Sequence, residues 1–351
     1  MKLVTFEPPG AADAAPGAES LLAELPPLGA QGRLGALSPD TTAVVDLQAA
    51  QAALTGQVEP AFADMLALLD ADTAGLDQAA ATLEAALAQR PPGVIFPADK
   101  VRLLSPVPRP RSIRDCLTFE RHLLGATATM VRWRSPLAGL IDRGMRRLLG
   151  RPLVGIPRVW YERPIYYKSN PHSVVGPEAD VCWPRYTERL DYELEFGIYI
   201  GRRGKDIAAD RATQHIAGYC IFNDFSARDI QAREMQGRLG PAKGKDFDTG
   251  NVIGPWLVTR DEVPDPYALE MSASVNGQRW SHGHSGEMQF SFEEVIAYIS
   301  QDETLYPGEF IGSGTVGSGC GLELDRWLQP GDTVELEVSG LGRLRNRVVC
   351  P

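Results

Sequence analysis

Residues 190–200 constrain this chain more than any other stretch. Their side chains alternate, with Tyr192, Leu194 and Phe196 on one parity and Glu193 and Glu195 on the other. Alternation rich in aromatic and β-branched residues predicts a strand. Residues two apart on a strand share a face, so both carboxylates point the same way while the aromatic face enters a core. Like charges side by side repel. A solvated outer face relieves that repulsion in one way. A bound cation relieves it in another, since convergent carboxylates suit a hard divalent ion.

A second acidic signal follows. Residues 216–224 form an apolar run that reads as a buried strand ending at Asn223 and Asp224. Asp224 is either a helix N-cap for the next turn or a third ligand. Residues 240–249 then form a glycine-punctuated loop carrying Lys245, placed to meet an anionic ligand.

At 351 residues the chain is long enough for two unequal domains. The proline-studded residues 105–110 mark the expected boundary, giving a small N-terminal α+β domain over 1–104 and a catalytic domain over 105–351. In the first part, residues 2–6, 32–37 and 42–47 read as strands, and 61–70 and 74–90 as helices. A net charge of −10 argues against a nucleic-acid partner. No apolar run reaches a membrane-spanning length, so no membrane partner and a cytoplasmic location are expected. Five cysteines without a C-x-x-C pair suggest reduced thiols.

Residues 130–151 mix apolar side chains with Arg132, Arg134, Arg143, Arg146, Arg147 and Arg151. An amphipathic basic helix of this kind packs on the domain, or serves as a lid or guide if it flanks the acidic site. Residues 312–317 match G-x-G-x-x-G, yet no βαβ unit surrounds them, so a dinucleotide site is not expected.

Taken in order, residues 190–195, 223–231, 239–245 and 312–317 resemble the motifs of the fumarylacetoacetate hydrolase family. The resemblance covers roughly 105–351. It implies an α+β, mostly β fold, with mixed sheets wrapped into a distorted roll, and a homodimer. It implies a divalent metal cofactor, Mg2+ or else Mn2+ or Ca2+, held by Asp115, Glu193, Glu195 and Asp224, with Thr249 nearby as a further ligand. It places Arg228, Gln231 and Lys245 against the substrate. It makes His122 the base and Glu323 the residue that orients it, with Lys245 assisting catalysis. Read without the resemblance, His122 is a surface histidine, Asp115 an ordinary cap, and Arg228 the partner of a neighbouring carboxylate. Asn170 stands about where fumarylacetoacetases carry a substrate-contacting arginine.

The implied chemistry is metal-dependent hydrolysis of a C–C bond in a small 1,3-diketo acid, an acylpyruvate or a fumarylacetoacetate-like compound. Hydration, dehydration or decarboxylation of a 2-oxo acid on the same site is the alternative within the family. A non-catalytic metal- or ligand-binding relative is the alternative outside catalysis.

Overall fold

The structure is a computed structural model describing residues 1–10 and 32–350. Its frame is a twelve-stranded sheet. The main path runs Ile95–Pro97, Ala43–Asp46, Arg33–Leu37, Lys2–Glu7, Asn251–Thr259, Ile216–Asp224, Leu194–Ile200, Phe310–Gly312, Ile113–Cys116 and Tyr166–Ser169. Two short strands, Arg102–Leu103 and Val174–Val175, pair beside it. Most neighbours are antiparallel, whereas Phe310–Gly312 runs parallel to Ile113–Cys116. A second, five-stranded sheet comprises Gln278–His284, Glu270–Val275, Thr333–Val338, Gly342–Val349 and Asp180–Cys182.

Alternation along the central strands supplies two cores. Phe196 and Ile198 of one strand and Tyr219 and Ile221 of the next face the five-stranded sheet, where they meet Met271, Leu336 and Val338. Tyr199, Cys220 and Phe222 face the other way and pack with Leu3, Leu47, Phe62 and Leu68 from the N-terminal region. The central strands are therefore buried on both faces, which explains their nearly unbroken apolar sequence. Glu195 shares its parity with Tyr199, and Asp224 shares its parity with Phe222. Their carboxylates thus leave the same face of the sheet at one end of the second core.

The strands and helices that the sequence places in the first hundred residues form, and the helix Leu47–Thr55 and the strand Ile95–Pro97 add to them among the described residues. The strands are Lys2–Glu7, Arg33–Leu37 and Ala43–Asp46, and the helices include Met65–Asp70 and Asp72–Gln89. Their strands join the main sheet, with Leu3 opposite Leu257 in the pairing of Lys2–Glu7 with Asn251–Thr259. The proline run is no exposed tether, because Ser105 and Val107 are buried and Thr5 donates to the Pro106 carbonyl at 2.6 Å.

The basic stretch divides into two helices, Glu120–Arg134 and Pro136–Leu149. Pro136 breaks the run because the residue before a proline avoids helical geometry. Ser135 turns extended and caps the second helix through the Ala138 N–H at 3.3 Å. The first helix flanks the acidic site. The second leaves Leu137, Leu140, Ile141 and Leu148 exposed. Among the described residues no helix is long and apolar enough to cross a membrane.

Leu3 is fully buried beneath Phe222 and Leu257, so truncating it opens a cavity between the N-terminal region and the central strands. Leu3→Ala is expected to cost about 3 kcal/mol of unfolding free energy. Denaturant titration should show one shifted transition. An unchanged main transition would show that the N-terminal strand is not part of this cooperative unit.

Candidate active site

Three strands deliver three carboxylates to one point. Asp115 comes from Ile113–Cys116, Glu195 from Leu194–Ile200 and Asp224 from the end of Ile216–Asp224. One oxygen from each lies within 4.8 Å of the others, and all three residues are buried. Between two of these strands runs Phe310–Gly312, whose Gly312 pairs with both Gly197 and Asp115. A Cβ at Gly312 would stand 2.4 Å from Asp115 Oδ1. The glycine is therefore the gap into which the Asp115 carboxylate fits.

Glycine and threonine of the same segment hold Glu195. The Gly314 N–H donates to Glu195 Oε2 at 3.1 Å, and the Thr315 hydroxyl donates to Oε1 at 3.0 Å. The G-x-G-x-x-G pattern thus serves a carboxylate. Tyr167, opposite Asp115 in the register, donates its hydroxyl to Asp224 Oδ2. Asp115 Oδ1 and Asp224 Oδ1 have no hydrogen-bond partner.

Glu193 takes a different position from its neighbour two residues away. The regular strand starts only at Leu194, and Glu193 forms an isolated bridge with Cys320. Its carboxylate accepts from Arg228 Nη2 at 2.7 Å and from Lys245 Nζ. Lys245 also donates to Asp224 Oδ2. Arg228 is fixed from behind by Asp191, which accepts from its Nε at 2.8 Å. Asp191 in turn accepts the Gly321 and Leu322 N–H groups at 2.7 and 2.9 Å. Gln231 accepts from Arg228 Nη1 at 2.9 Å, which leaves its amide nitrogen to the cavity.

These contacts separate the acids electrostatically. Burial pushes the Asp115 carboxyl up to about 8, and the charge of Asp224 adds to it. Burial raises Asp224 to about 6, with Lys245 opposing the rise. Glu195 is driven well above its usual range by burial, then by Asp115 and Glu193. For Glu193 burial acts in the same sense, but Arg228 and Lys245 outweigh it and hold the carboxyl below its ordinary value. Burial also works against the Lys245 charge, yet Asp224 and Glu193 raise its pKa above that of a free lysine.

A divalent ion fits this donor set. Three clustered carboxylates with two unpartnered oxygens offer a hard, all-oxygen site. Asp115, Glu195 and Asp224 are the residues brought together. Glu193, expected beside them, borders the cluster with both oxygens on cations. Thr249, also expected near the metal, has its hydroxyl engaged with the backbone. Its hydroxyl accepts the Cys182 N–H at 2.9 Å, and it does not line the cavity. Its backbone lies in the left-handed region, where the turn into Asn251–Thr259 needs it.

His122 lies on the helix Glu120–Arg134, buried and lining the same cavity. Its Nδ1 pairs with Glu323 Oε1 at 2.8 Å. Glu323 is held by the Ser318 and Gly319 N–H groups at 2.8 and 3.1 Å. Nε2 points inward, 3.8 Å from Glu193 Oε1. The Cys320 sulfur lies 3.9 Å from Nδ1, but burial pushes that thiol well up, which keeps it a thiol rather than a thiolate ligand. Asn170 does not line the cavity. Its N–H donates to Asp246 at 3.0 Å, and Tyr167 and Lys168 line the wall from that segment. The cavity measures about 730 Å³ and joins Asp115, Glu193, Glu195, Lys245, Arg228, Gln231 and His122 in one space.

Tyr167, Asp191 and Thr315 were not singled out by sequence. Asp191 stands beside the acidic pair but acts on Arg228, a contact that only tertiary folding brings about. Thr315 lies inside the glycine pattern and Tyr167 on a short strand, and the signal for each was its neighbourhood rather than its type.

The family described as fumarylacetoacetate (FAA) hydrolase, C-terminal, matches residues 153–349. This chain belongs to the fumarylacetoacetate hydrolase family. A Burkholderia cenocepacia (strain HI2424) protein with a provisional hydrolase name is 39% identical over 188 residues, covering 53% of this chain and 66% of that protein. The chain thus spans just under two thirds of the length of such curated relatives. The crystal structure of 5-carboxymethyl-2-hydroxymuconate delta-isomerase from Mycobacterium smegmatis is 28% identical, with a TM-score of 0.57, covering 74% of this chain and 84% of that one. Maleylpyruvate hydrolase from Sphingobium sp. SYK-6, solved with manganese(II) and pyruvate, is 22% identical with a TM-score of 0.66. It covers 100% of this chain and 99% of its own, and shows that the fold is shared throughout.

Asp115 keeps its proton in the folded chain up to about 8, whereas the ordinary carboxyl releases it near 3.8. The folded state holds the extra proton across that window, so metal-free stability contributed by this group falls as pH rises through it. A divalent ion replaces that proton. The gain in thermal midpoint from manganese(II) is therefore expected to be larger at about pH 8 than at about pH 6. Scanning fluorimetry measures both, and an equal or smaller gain at the higher pH contradicts the assignment.

Proposed function

We propose that this chain is a divalent-metal-dependent hydrolase that cleaves a C–C bond of an acylpyruvate-type 1,3-diketo acid. The observation that carries this reading is His122, held by Glu323, lining the same cavity as Asp115 and Glu195 of the three clustered carboxylates. Asp115, Glu195 and Asp224 would hold the ion. When bound there, it supplies Lewis-acid polarisation of the substrate's oxygens.

The remaining steps belong to the chain's own residues. Glu323 accepts the Nδ1 proton, which fixes the ring and leaves the Nε2 lone pair towards the cavity. Nε2 takes a proton from water. The hydroxide adds to the acyl carbonyl carbon, and the bond from that carbon to the methylene breaks. The methylene carbon recovers the proton from the imidazolium, giving a carboxylic acid and pyruvate. Lys245 and Arg228, both buried and charged, border the space where negative charge develops. Preorganised, buried cations stabilise such charge more strongly than bulk water does. The Gln231 amide nitrogen offers a further donor.

A second reading rests on the isomerase from M. smegmatis, since a positioned histidine also serves proton transfer without water. The products separate the two. Incubation of acetylpyruvate with the chain and manganese(II) should release pyruvate as the diketone absorbance falls. Loss of substrate without pyruvate would overturn hydrolysis.

His122→Ala is expected to lower turnover by about 10²–10⁴-fold. The manganese-induced thermal shift should persist, because His122 is not one of the three clustered acids. Unchanged turnover would remove the proposed base.

A further inference from the structure

The cavity's two walls change character in step from floor to mouth. On the helix Glu120–Arg134 the lining residues His122, Ala126, Met130 and Trp133 follow at helical spacing, so one face of one helix forms that wall. The wall runs from the buried His122 to Met130, 36% exposed, and the half-buried Trp133. The facing wall starts with Arg228 and Gln231 and ends with Met235 and Leu239. Met235 is 50% exposed and Leu239 is 99% exposed. The buried charged groups Arg228, Lys245, Asp115 and Glu195 thus share the cavity with exposed Met130, Met235 and Leu239, beside which only Lys168 and Arg238 bring exposed charge.

We infer that the substrate is a 2-oxo acid whose far end is an uncharged alkyl or aryl tail, held between Met130 and Trp133 on one side and Met235 and Leu239 on the other. This rests on the acylpyruvate reading for the identity of the head group. A fully exposed leucine and a half-exposed methionine lining one cavity gain contact with apolar surface only when such surface enters between them. The exposed cations that line the cavity are Lys168 and Arg238, and the Arg189 guanidinium stacks on the Trp133 ring at 4.1 Å, so Trp133 offers the tail only the surface Arg189 leaves uncovered. Lys168 faces Glu303 at 3.8 Å. Arg238 is exposed and is the anchor that a tail carboxylate would use instead.

The test is calorimetric binding to the intact chain with manganese(II), using pyruvate, 2-oxobutyrate, 2-oxohexanoate, 2-oxooctanoate and the dicarboxylate 2-oxoadipate. Affinity is expected to rise about 4-fold for each methylene that reaches the apolar walls. Leu239→Asp and Met130→Asp, both at exposed positions, should flatten that gradient by at least about 10-fold across the series. A flat series in the unaltered chain overturns the inference, as does tighter binding of 2-oxoadipate than of 2-oxohexanoate. A gradient untouched by both substitutions overturns the assignment of these walls. Graded binding of the alkyl series without hydrolysis of any acylpyruvate supports the inference while removing the proposed reaction.

Discussion

Mutual repulsion among buried carboxylates is the constraint that organises this molecule. Asp115, Glu193, Glu195 and Asp224 are buried close together, and such a group is stable only if charge is neutralised or opposed. The chain answers in two ways. Glu193 is given Arg228 and Lys245 and stays ionised. The other three lean on protons, on Lys245 and on hydrogen bonds from Tyr167, Gly314 and Thr315. Replacing one member alone would leave its partners buried without compensation, which is why the effects of changes here will not add independently.

The surrounding architecture serves that cluster. A sheet buried on both faces fixes the strands rigidly, and its parity sends Glu195 and Asp224 the same way. Of two glycines paired across neighbouring strands, Gly312 leaves the gap that the Asp115 carboxylate fills and Gly197 leaves room for the Phe310 ring. Asp191 ties the Arg228 side to the short helix Gly321–Leu324, which carries Glu323. The acid cluster and the histidine pair are thereby joined through backbone hydrogen bonds rather than through a flexible loop.

Much of this was legible in the sequence, for physical reasons that differ by element. Alternation over residues 190–200 and the apolar run 216–224 gave both central strands, because burial leaves a pattern of period two. The resemblance brought in Asp115, His122 and Glu323, which are far apart in sequence and which no local pattern connects. The division of labour between Glu193 and Glu195 was not legible. It arises because the strand loses regularity at Glu193, and two cations from distant segments take that side chain. Thr249 shows the opposite case, a residue near the motifs in sequence whose hydroxyl is used to bind the Cys182 backbone. Asn170 is another such case, its side-chain oxygen accepting the His172 N–H and its own N–H donating to Asp246. The split of the basic stretch at Ser135 and Pro136 was written in the proline, which overrides the helical periodicity on either side.

His122 and Trp133 belong to one rigid rod, the helix Glu120–Arg134. Whatever lodges against the outer half of that rod also sets the angle of its inner end. Poorly fitting molecules would therefore be handled slowly as well as held weakly, since the imidazole and the outer wall cannot be adjusted separately. Selectivity in such an enzyme would be expressed in the speed of the chemical step, with the length of the helix acting as the lever arm.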